Sequence, residues 1–259
     1  MPTPAPRDPT VLVQLSDPHI GADWGDGDPV AMLAAAVDAV MGLDVRVSGV
    51  LVTGDLADHA TDEEYAQLRE LVAPLGGPLY VLAGNHDDRA ALRRNFDVPG
   101  AGDEPVQYAT VVGALRLIVL DSTRPGEDPG ELDVGRLAWL DDRLLEDPEA
   151  PTLLALHHTP LRTGMRAVDE AGLAGEARRA LGAVVEHHPN VLRIAGGHLH
   201  QTIAGTLGGR QVLAAPSVYA RMRPRFAAGE IDVRSGPAGV VIHRLVDGDL
   251  LSHVELAAG

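Results

Sequence analysis

Val11-Leu12-Val13-Gln14-Leu15-Ser16-Asp17-Pro18-His19-Ile20 opens on a nearly continuous apolar run and stops at an acid, a proline and a histidine. Apolar residues that do not alternate with polar ones mark a strand covered on both faces, as in parallel sheets under helices. The pattern recurs: the run over 49–53 leads into Gly54-Asp55, and that over 79–82 leads through Ala83 into Gly84-Asn85-His86-Asp87. Helical patterns over 29–43 and 61–72 separate the three runs, and the second opens on Thr61-Asp62-Glu63-Glu64, a capping box with Glu64 at its third position. Strand, helix and strand in alternation are βαβ units, and each crossover returns the chain to one sheet.

From residue 107 the pattern changes. Runs over 107–112 and 115–120 flank Gly113-Ala114 as a hairpin, and 121–130 is a loop rich in Pro, Gly and Asp. A helix over 134–145 follows, then strand, helix and strand over 152–156, 176–187 and 191–195. The last third reads as strands over 202–206, 211–214, 239–244 and 250–255, with tight turns at Gly208-Gly209 and Asp247-Gly248. An α/β fold accounts for both halves: a four-layer αββα sandwich of two mixed β-sheets packed face to face and flanked by helices. The expected organisation is a flexible Pro-rich arm over 1–9 and one domain over 10–259.

The net charge of −16, from 37 acidic against 21 basic residues, repels a phosphate backbone, so polymeric nucleic acid is excluded as substrate. An anionic small molecule remains acceptable, because bound cations reverse the local potential. With no cysteine there is no disulfide, thiolate site or cysteine nucleophile, and any metal must be held by nitrogen and oxygen. The start lacks a basic stretch followed by an apolar one, and the most apolar helical segment, 31–43, carries Asp38 and is too short to span a bilayer. The expectation is a cytoplasmic chain without a membrane contact.

The chemistry sits where the strands stop. Asp17, Asp55, Asn85, His157 and His198 each follow a predicted strand, and in open α/β sheets ligands collect at the carboxyl ends of strands. Each motif has a plainer reading alone: Asp17-Pro18-His19 as a turn, Asp55 as a helix cap or loop acid, Gly84-Asn85-His86-Asp87 as a turn into a helix over 87–94. The pair His157-His158 ends an apolar strand with no packing rationale, and His198 and His200, two apart in an extended segment, point the same way. Five coincidences at successive strand ends are less economical than one site. His187, His188, His243 and His253 read as surface or structural residues, with His59 and His158 between the two classes.

These motifs together, Asp-x-His, Gly-Asp, Gly-Asn-His-Asp, His-His-x-Pro and Gly-His-x-His, resemble the calcineurin-like metallophosphoesterase superfamily. Within it the chain looks most like the class III cyclic nucleotide phosphodiesterases, on Leu15 to Ile20, Gly84 to Arg89, Leu156 to Pro160 and Ala195 to His200. The resemblance implies two divalent or trivalent metal ions, drawn from Mn, Fe, Zn or Co. It assigns Asp17, His19, Asp55 and His200 to the first, and Asp55, Asn85, His157 and His198 to the second, with Asp55 bridging. His158 is left as a supporting or substrate-facing residue. In-line attack by a metal-bridging hydroxide is the implied mechanism, with His86 contacting the phosphoryl group or protonating the leaving oxygen and Asp58 orienting His86.

The resemblance implies hydrolysis of a 3′,5′- or 2′,3′-cyclic nucleotide. A phosphodiesterase for glycerophosphodiesters or another small diester is the alternative, and a non-catalytic metal-binding scaffold is a third. Relatives are often dimers, and the apolar terminal region would permit a homodimer. The basic segment 217–225, with Tyr219, Arg221, Arg223 and Arg225, is either a contact with substrate or a partner subunit or a solvated loop; some relatives place a cysteine-containing stretch there. Arg89 reads as part of the close motif or as a helix-surface charge. Trp24 and Tyr219 are weak candidates to stack on a base.

Overall fold

The computed structural model describes residues 9–226 and 231–257. The expected arm over 1–9 therefore lies, Pro9 apart, outside the described residues. The first half alternates as the apolar runs require: β1 (Thr10–Leu15), α1 (Pro29–Met41), β2 (Gly49–Thr53), α2 (Asp62–Val72), β3 (Leu79–Leu82) and α3 (Arg89–Asn95). Asp28 caps α1 and Pro29 takes its first turn, where a missing N–H leaves no bond unmade. Both arms of the α2 capping box are present, between Thr61 and Glu64. The second half builds a hairpin, β4 (Tyr108–Val112) and β5 (Leu115–Val119), then α4 (Val134–Glu146), β6 (Thr152–His158), α5 (Arg166–Ala171), α6 (Gly175–Glu186) and β7 (Val191–Gly197). It ends with β8 (Ile203–Leu207), β9 (Arg210–Ala214), the short pair β10 (Arg221–Arg223) and β11 (Asp232–Arg234), β12 (Gly239–Val246) and β13 (Asp249–Leu256).

One sheet has the order β13-β12-β1-β2-β3, and a second has β4-β5-β6-β7-β9-β8. Both are mixed: β1, β2 and β3 are parallel with β12 and β13 antiparallel at one side, and β5, β6, β7 and β9 are parallel between antiparallel β4 and β8. Alternation along β1 shows the layering. Val11, Val13 and Leu15 pack with Leu33, Val37 and Leu68 of α1 and α2. Leu12 turns the other way, to Leu117, Val119 and Leu153 of the second sheet. Leu154 and Ile194 on the outer face of that sheet pack with Leu140, Leu144 and Leu181 of α4 and α6. Three separate apolar clusters thus give the four layers, αββα. Each fully buried leucine such as Leu12 or Leu51 contributes roughly 1.5–3 kcal/mol.

Where the structure departs from the sequence reading, long-range pairing is the reason. β6 runs on to His158 and β7 to Gly197, because each pairs with the other along this length. α3 begins at Arg89, capped by the Asp88 side chain, since Asp87 turns inward. The short α5 and the β10–β11 hairpin carry no strong apolar period and escaped prediction. Among the described residues no helix is long and apolar enough to cross a membrane.

The capping box makes a test of local encoding. Thr61→Ala removes the bond to the Glu64 N–H and is expected to lower stability by about 1 kcal/mol. Urea unfolding should show a lower midpoint at unchanged slope.

Candidate metal centre

All five predicted motifs meet at the carboxyl ends of β1, β2, β3, β6 and β7. The backbone there is unusual: of the seven non-glycine residues with positive φ among the described residues, five are Asp17 (50°), His19 (45°), Asp55 (50°), His198 (67°) and His200 (48°). Left-handed backbone at such residues costs on the order of 1–3 kcal/mol each and persists where surrounding bonds impose it. Those bonds are present: Asp17 N–H donates to Gly54 O (3.2 Å), His19 N–H to Asp55 O (2.9 Å) and Ile20 N–H to Leu56 O (3.1 Å), lacing the β1 turn to the β2 turn. His198 N–H donates to Asp17 Oδ1 at 3.0 Å, tying the β7 end to the same point.

Ring-nitrogen partners set the chemistry. His200 Nδ1 donates to Ala220 O (2.8 Å) and His19 Nδ1 to Asp58 Oδ1 (2.9 Å), so each ring presents a lone pair at Nε2. Those two Nε2 atoms lie 3.3 Å apart. Asp55 Oδ2 is 3.5 Å from His19 Nε2, and Asp17 Oδ1 is 3.6 Å from His200 Nε2. Four acceptors thus converge with no proton between them, an arrangement that fits a cation. On the other side of Asp55 the pattern repeats. His157 Nδ1 donates to Thr53 O (2.9 Å), leaving Nε2 3.0 Å from Asn85 Oδ1 and 3.4 Å from Asp55 Oδ2; His198 Nδ1 is 3.1 Å from Asn85 Oδ1. Asp55 Oδ2 therefore lies between the His19–His200 pair and the group of His157, His198 and Asn85.

Electrostatics show like acceptors crowded at Asp17 and His200, whereas at His157 the carboxylates favour the charged ring. Burial pushes the Asp17 carboxyl up to about 6, with Asp55 adding to the push. Burial drags His200 down to about 4. Burial also opposes charge on His157, but Asp55 and Asp17 outweigh it and lift that ring to about 9. The donors are nitrogen and oxygen only, a set suited to Zn, Fe, Mn or Co.

Neighbouring residues answer the open readings. Asp58 Oδ1 accepts from His19 (2.9 Å) and from Trp24 Nε1 (3.0 Å), and lies 3.3 Å from His86 Nδ1. Asp58 meets the His86 ring through both its carboxylate and its main-chain oxygen, each 3.3 Å from Nδ1, and it also clamps His19. His86, 34% exposed at its side chain, anchors its N–H on Asp55 Oδ1 at 3.0 Å. His158 is not substrate-facing: it is fully buried, with Nδ1 2.9 Å from Ser122 Oγ and Nε2 donating to Asp128 O at 2.8 Å. It pins the 121–131 loop beside the centre. Nor is Arg89 a surface charge, since it is buried against Asp121 (2.9 Å) with bonds to Asp103 O and Thr123 O. Trp24 packs edge-on to His19 and Tyr219, both at 4.9 Å, and the Tyr219 hydroxyl donates to Trp24 O. Of the basic segment, Arg221, Arg223 and Arg225 are exposed on and beside the β10–β11 hairpin, whereas Ser217 to Ala220 are buried against the centre, with Ser217 Oγ donating to Asp17 O.

A cleft of about 220 Å³ opens from Asn85 and His86 towards Asp103, Thr123, Arg124 and Pro125. The last three come from a loop in which the sequence carried no site signal. Gly84, the first residue of the third motif, is a steric requirement: a Cβ there would overlap the Asp55 carboxylate and backbone nitrogen.

The family model of the calcineurin-like phosphoesterases matches residues 10–202. The cAMP/cGMP dual specificity phosphodiesterase of Mycobacterium tuberculosis is 33% identical over 263 residues, spanning 98% of this chain and 82% of that protein. A probable glycerophosphodiester phosphodiesterase of Arcobacter nitrofigilis is 32% identical over 197 residues, spanning 74% of this chain and 72% of that protein. Among solved structures, a dimetal phosphatase from Danio rerio superposes with a TM-score of 0.66 at 18% identity, over 97% of this chain and 100% of that one, and so shares the fold.

Gly84→Ala should displace Asp55 and lower metal affinity about 10–100-fold. Metal content after dialysis against a graded chelator series reads the loss, with unfolding monitored alongside.

Proposed function

The chain belongs to the calcineurin-like phosphoesterase family, and on that premise we propose that it is a phosphodiesterase for cyclic nucleotides working at two metal ions. The observation that carries the metal half is the convergence of lone pairs from His19, His200, Asp17 and Asp55, with no proton among them. Asp17, His19, Asp55 and His200 would hold the first ion, and Asp55, Asn85, His157 and His198 the second, with Asp55 shared. Cations bound at these positions would polarise phosphoryl oxygens and lower the pKa of bound water towards neutrality. Mn, Fe, Zn and Co all suit the donors.

The residues of the chain do the positioning. Asp58 holds His19 and reaches the His86 Nδ1 side, so His86 Nε2 is the nitrogen left to meet the phosphoryl group or to pass a proton to the leaving oxygen. Asn85 turns its amide oxygen inward to His157 and His198. Asp87 accepts from Gly84 N–H (2.8 Å) and Tyr65 Oη (3.1 Å), which sets the turn carrying Asn85 and His86.

A cyclic nucleotide is the favoured substrate because the Mycobacterium tuberculosis relative, matched over 98% of this chain, is named for cAMP and cGMP. A glycerophosphodiester is the second reading. It is favoured by the polar cleft, where Asp88, Asp103, Thr123 and Arg124 offer hydrogen bonds to a small alcohol, and by the Arcobacter nitrofigilis relative. A non-catalytic scaffold has no use for these acceptors and His86 together. The acidic balance and the absence of cysteine support a small-molecule substrate and a cytoplasmic location.

The deciding experiment measures hydrolysis of 3′,5′-cyclic AMP, 2′,3′-cyclic AMP, a glycerophosphodiester and bis(p-nitrophenyl) phosphate by the Mn²⁺-loaded protein, with metal content in parallel. Selective turnover of a cyclic nucleotide is expected; turnover of the glycerophosphodiester alone would overturn that choice, and two bound metals without any turnover would leave the scaffold. Asn85→Ala should weaken the second metal and cut turnover without unfolding the chain. His86→Ala should keep both metals and lose rate mainly on poor leaving groups, and loss of metal instead would make His86 a ligand.

A further inference from the structure

Behind Asp17 the two sheets are joined by a file of polar side chains that the proposed chemistry does not use. Gln14, Ser16, Asp17, Thr53 and His243 are each 0% exposed. The Gln14 amide nitrogen donates to Thr53 Oγ1 at 3.0 Å and crosses to the second sheet to meet Gly196 O in β7 at 3.1 Å. Its amide oxygen lies 2.9 Å from His243 Nε2 in β12, and His243 Nδ1 lies 2.8 Å from Ser252 Oγ in β13. Thr53 Oγ1 is 2.7 Å from Ser16 Oγ, whose hydroxyl donates to Asp17 Oδ2 at 2.5 Å.

The order of donors follows from the acceptors at its ends and from the shorter contact at Thr53. Gly196 O only accepts, so the Gln14 NH2 must face β7 and Thr53, and its oxygen must face His243. His243 then carries its proton on Nε2, and Nδ1 accepts from Ser252. Thr53, already accepting from Gln14, directs its own proton to Ser16, the shorter contact beside Leu15 O at 3.2 Å. Ser16 passes the bond to Asp17 Oδ2. Oδ1 is thereby left turned towards His200 Nε2, at 3.6 Å. Gly197 keeps the space clear: a Cβ there would overlap Ser16 Oγ and stand 2.9 Å from Asp17 Oδ2.

We propose that Gln14, oriented by His243, is a positioning residue for the metal centre: through Thr53 and Ser16 it holds one oxygen of Asp17, and with the His198 N–H sets the rotation of the carboxylate so that the other oxygen is turned to the first ion. This rests on Asp17 being a ligand of that ion. Outer partners of metal ligands are typically worth about 10–100-fold in affinity.

The test titrates Mn²⁺ into chelator-treated full-length protein, following each binding step by calorimetry and the coupled-pair signal by electron paramagnetic resonance. Thr53→Val is near-isosteric and breaks the file in its middle; Gln14→Met breaks it at the sheet crossing; Thr53→Ser keeps the hydroxyl. The first two are expected to lose about 10–100-fold in affinity for one ion while the other ion binds as in the unaltered protein, with Thr53→Ser restoring both. Urea unfolding confirms that each variant is folded, and His243→Leu, which releases the Gln14 amide oxygen, stands in for Gln14→Met should that variant fail to fold and is expected to weaken the same ion. The proposal is overturned if the folded variants bind both ions at unaltered affinity, or weaken both equally in step with lost stability. Asp17→Asn separates the causes: if it too leaves both ions bound, the ligand assignment has failed, whereas loss of one ion in Asp17→Asn with none in Thr53→Val sinks only the positioning role.

Discussion

The carboxylate of Asp55 is the point on which the rest of the centre depends. One oxygen accepts the His86 N–H at 3.0 Å, and the other lies 3.5 Å from His19 and 3.4 Å from His157. A group that serves both halves of the site cannot move without disturbing both. The surroundings are built to hold it there: Gly54 and Gly84 leave no side chain where Asp55 and His157 must pass, and its own backbone is kept left-handed at a φ of 50°. The strain is tolerable because the parallel strands β1, β2 and β3 set the turn positions from below through their ladder.

From this centre the dependence runs outwards in two directions. On one side, Asp58 gathers His19, Trp24 and His86 around one carboxylate oxygen. Trp24 is then wedged against Tyr219 from the far end of the chain. On the other, His158 and Arg89 spend their polar atoms on the neighbouring loop and hold residues 121–131 in place. The His158 ring nitrogens both have partners, and the Arg89 guanidinium is held by Asp121, Asp103 and Thr123; a buried polar group without a partner would cost roughly 1–3 kcal/mol. The loop they hold carries Arg124 and Pro125 to the cleft wall.

Much of this was legible in the linear chain. The apolar runs ended within a residue or two of the observed strands, since a strand buried on both faces needs a continuous apolar stretch whatever surrounds it. The ligand-type residues followed those ends, and because parallel strands present their carboxyl ends at one rim, the order alone implied that Asp17, Asp55, Asn85, His157 and His198 would meet. The capping box at Thr61 was equally plain, being local chemistry over four residues.

Other features waited on the folded state, because they are relations between residues far apart. Nothing near Arg89 reveals that Asp121 will bury it, nor that His158 will find Ser122 and Asp128 rather than a substrate. Asp58 could be matched to His86 by motif, yet its claim on His19, 39 residues away, appears only when the β1 and β2 turns are laced together. Residue type and strand order thus dictated which groups would converge, since these follow from burial and backbone periodicity. Which nitrogen carries a proton, and which oxygen faces inward, was decided by three-dimensional packing, because each depends on a partner brought from another strand.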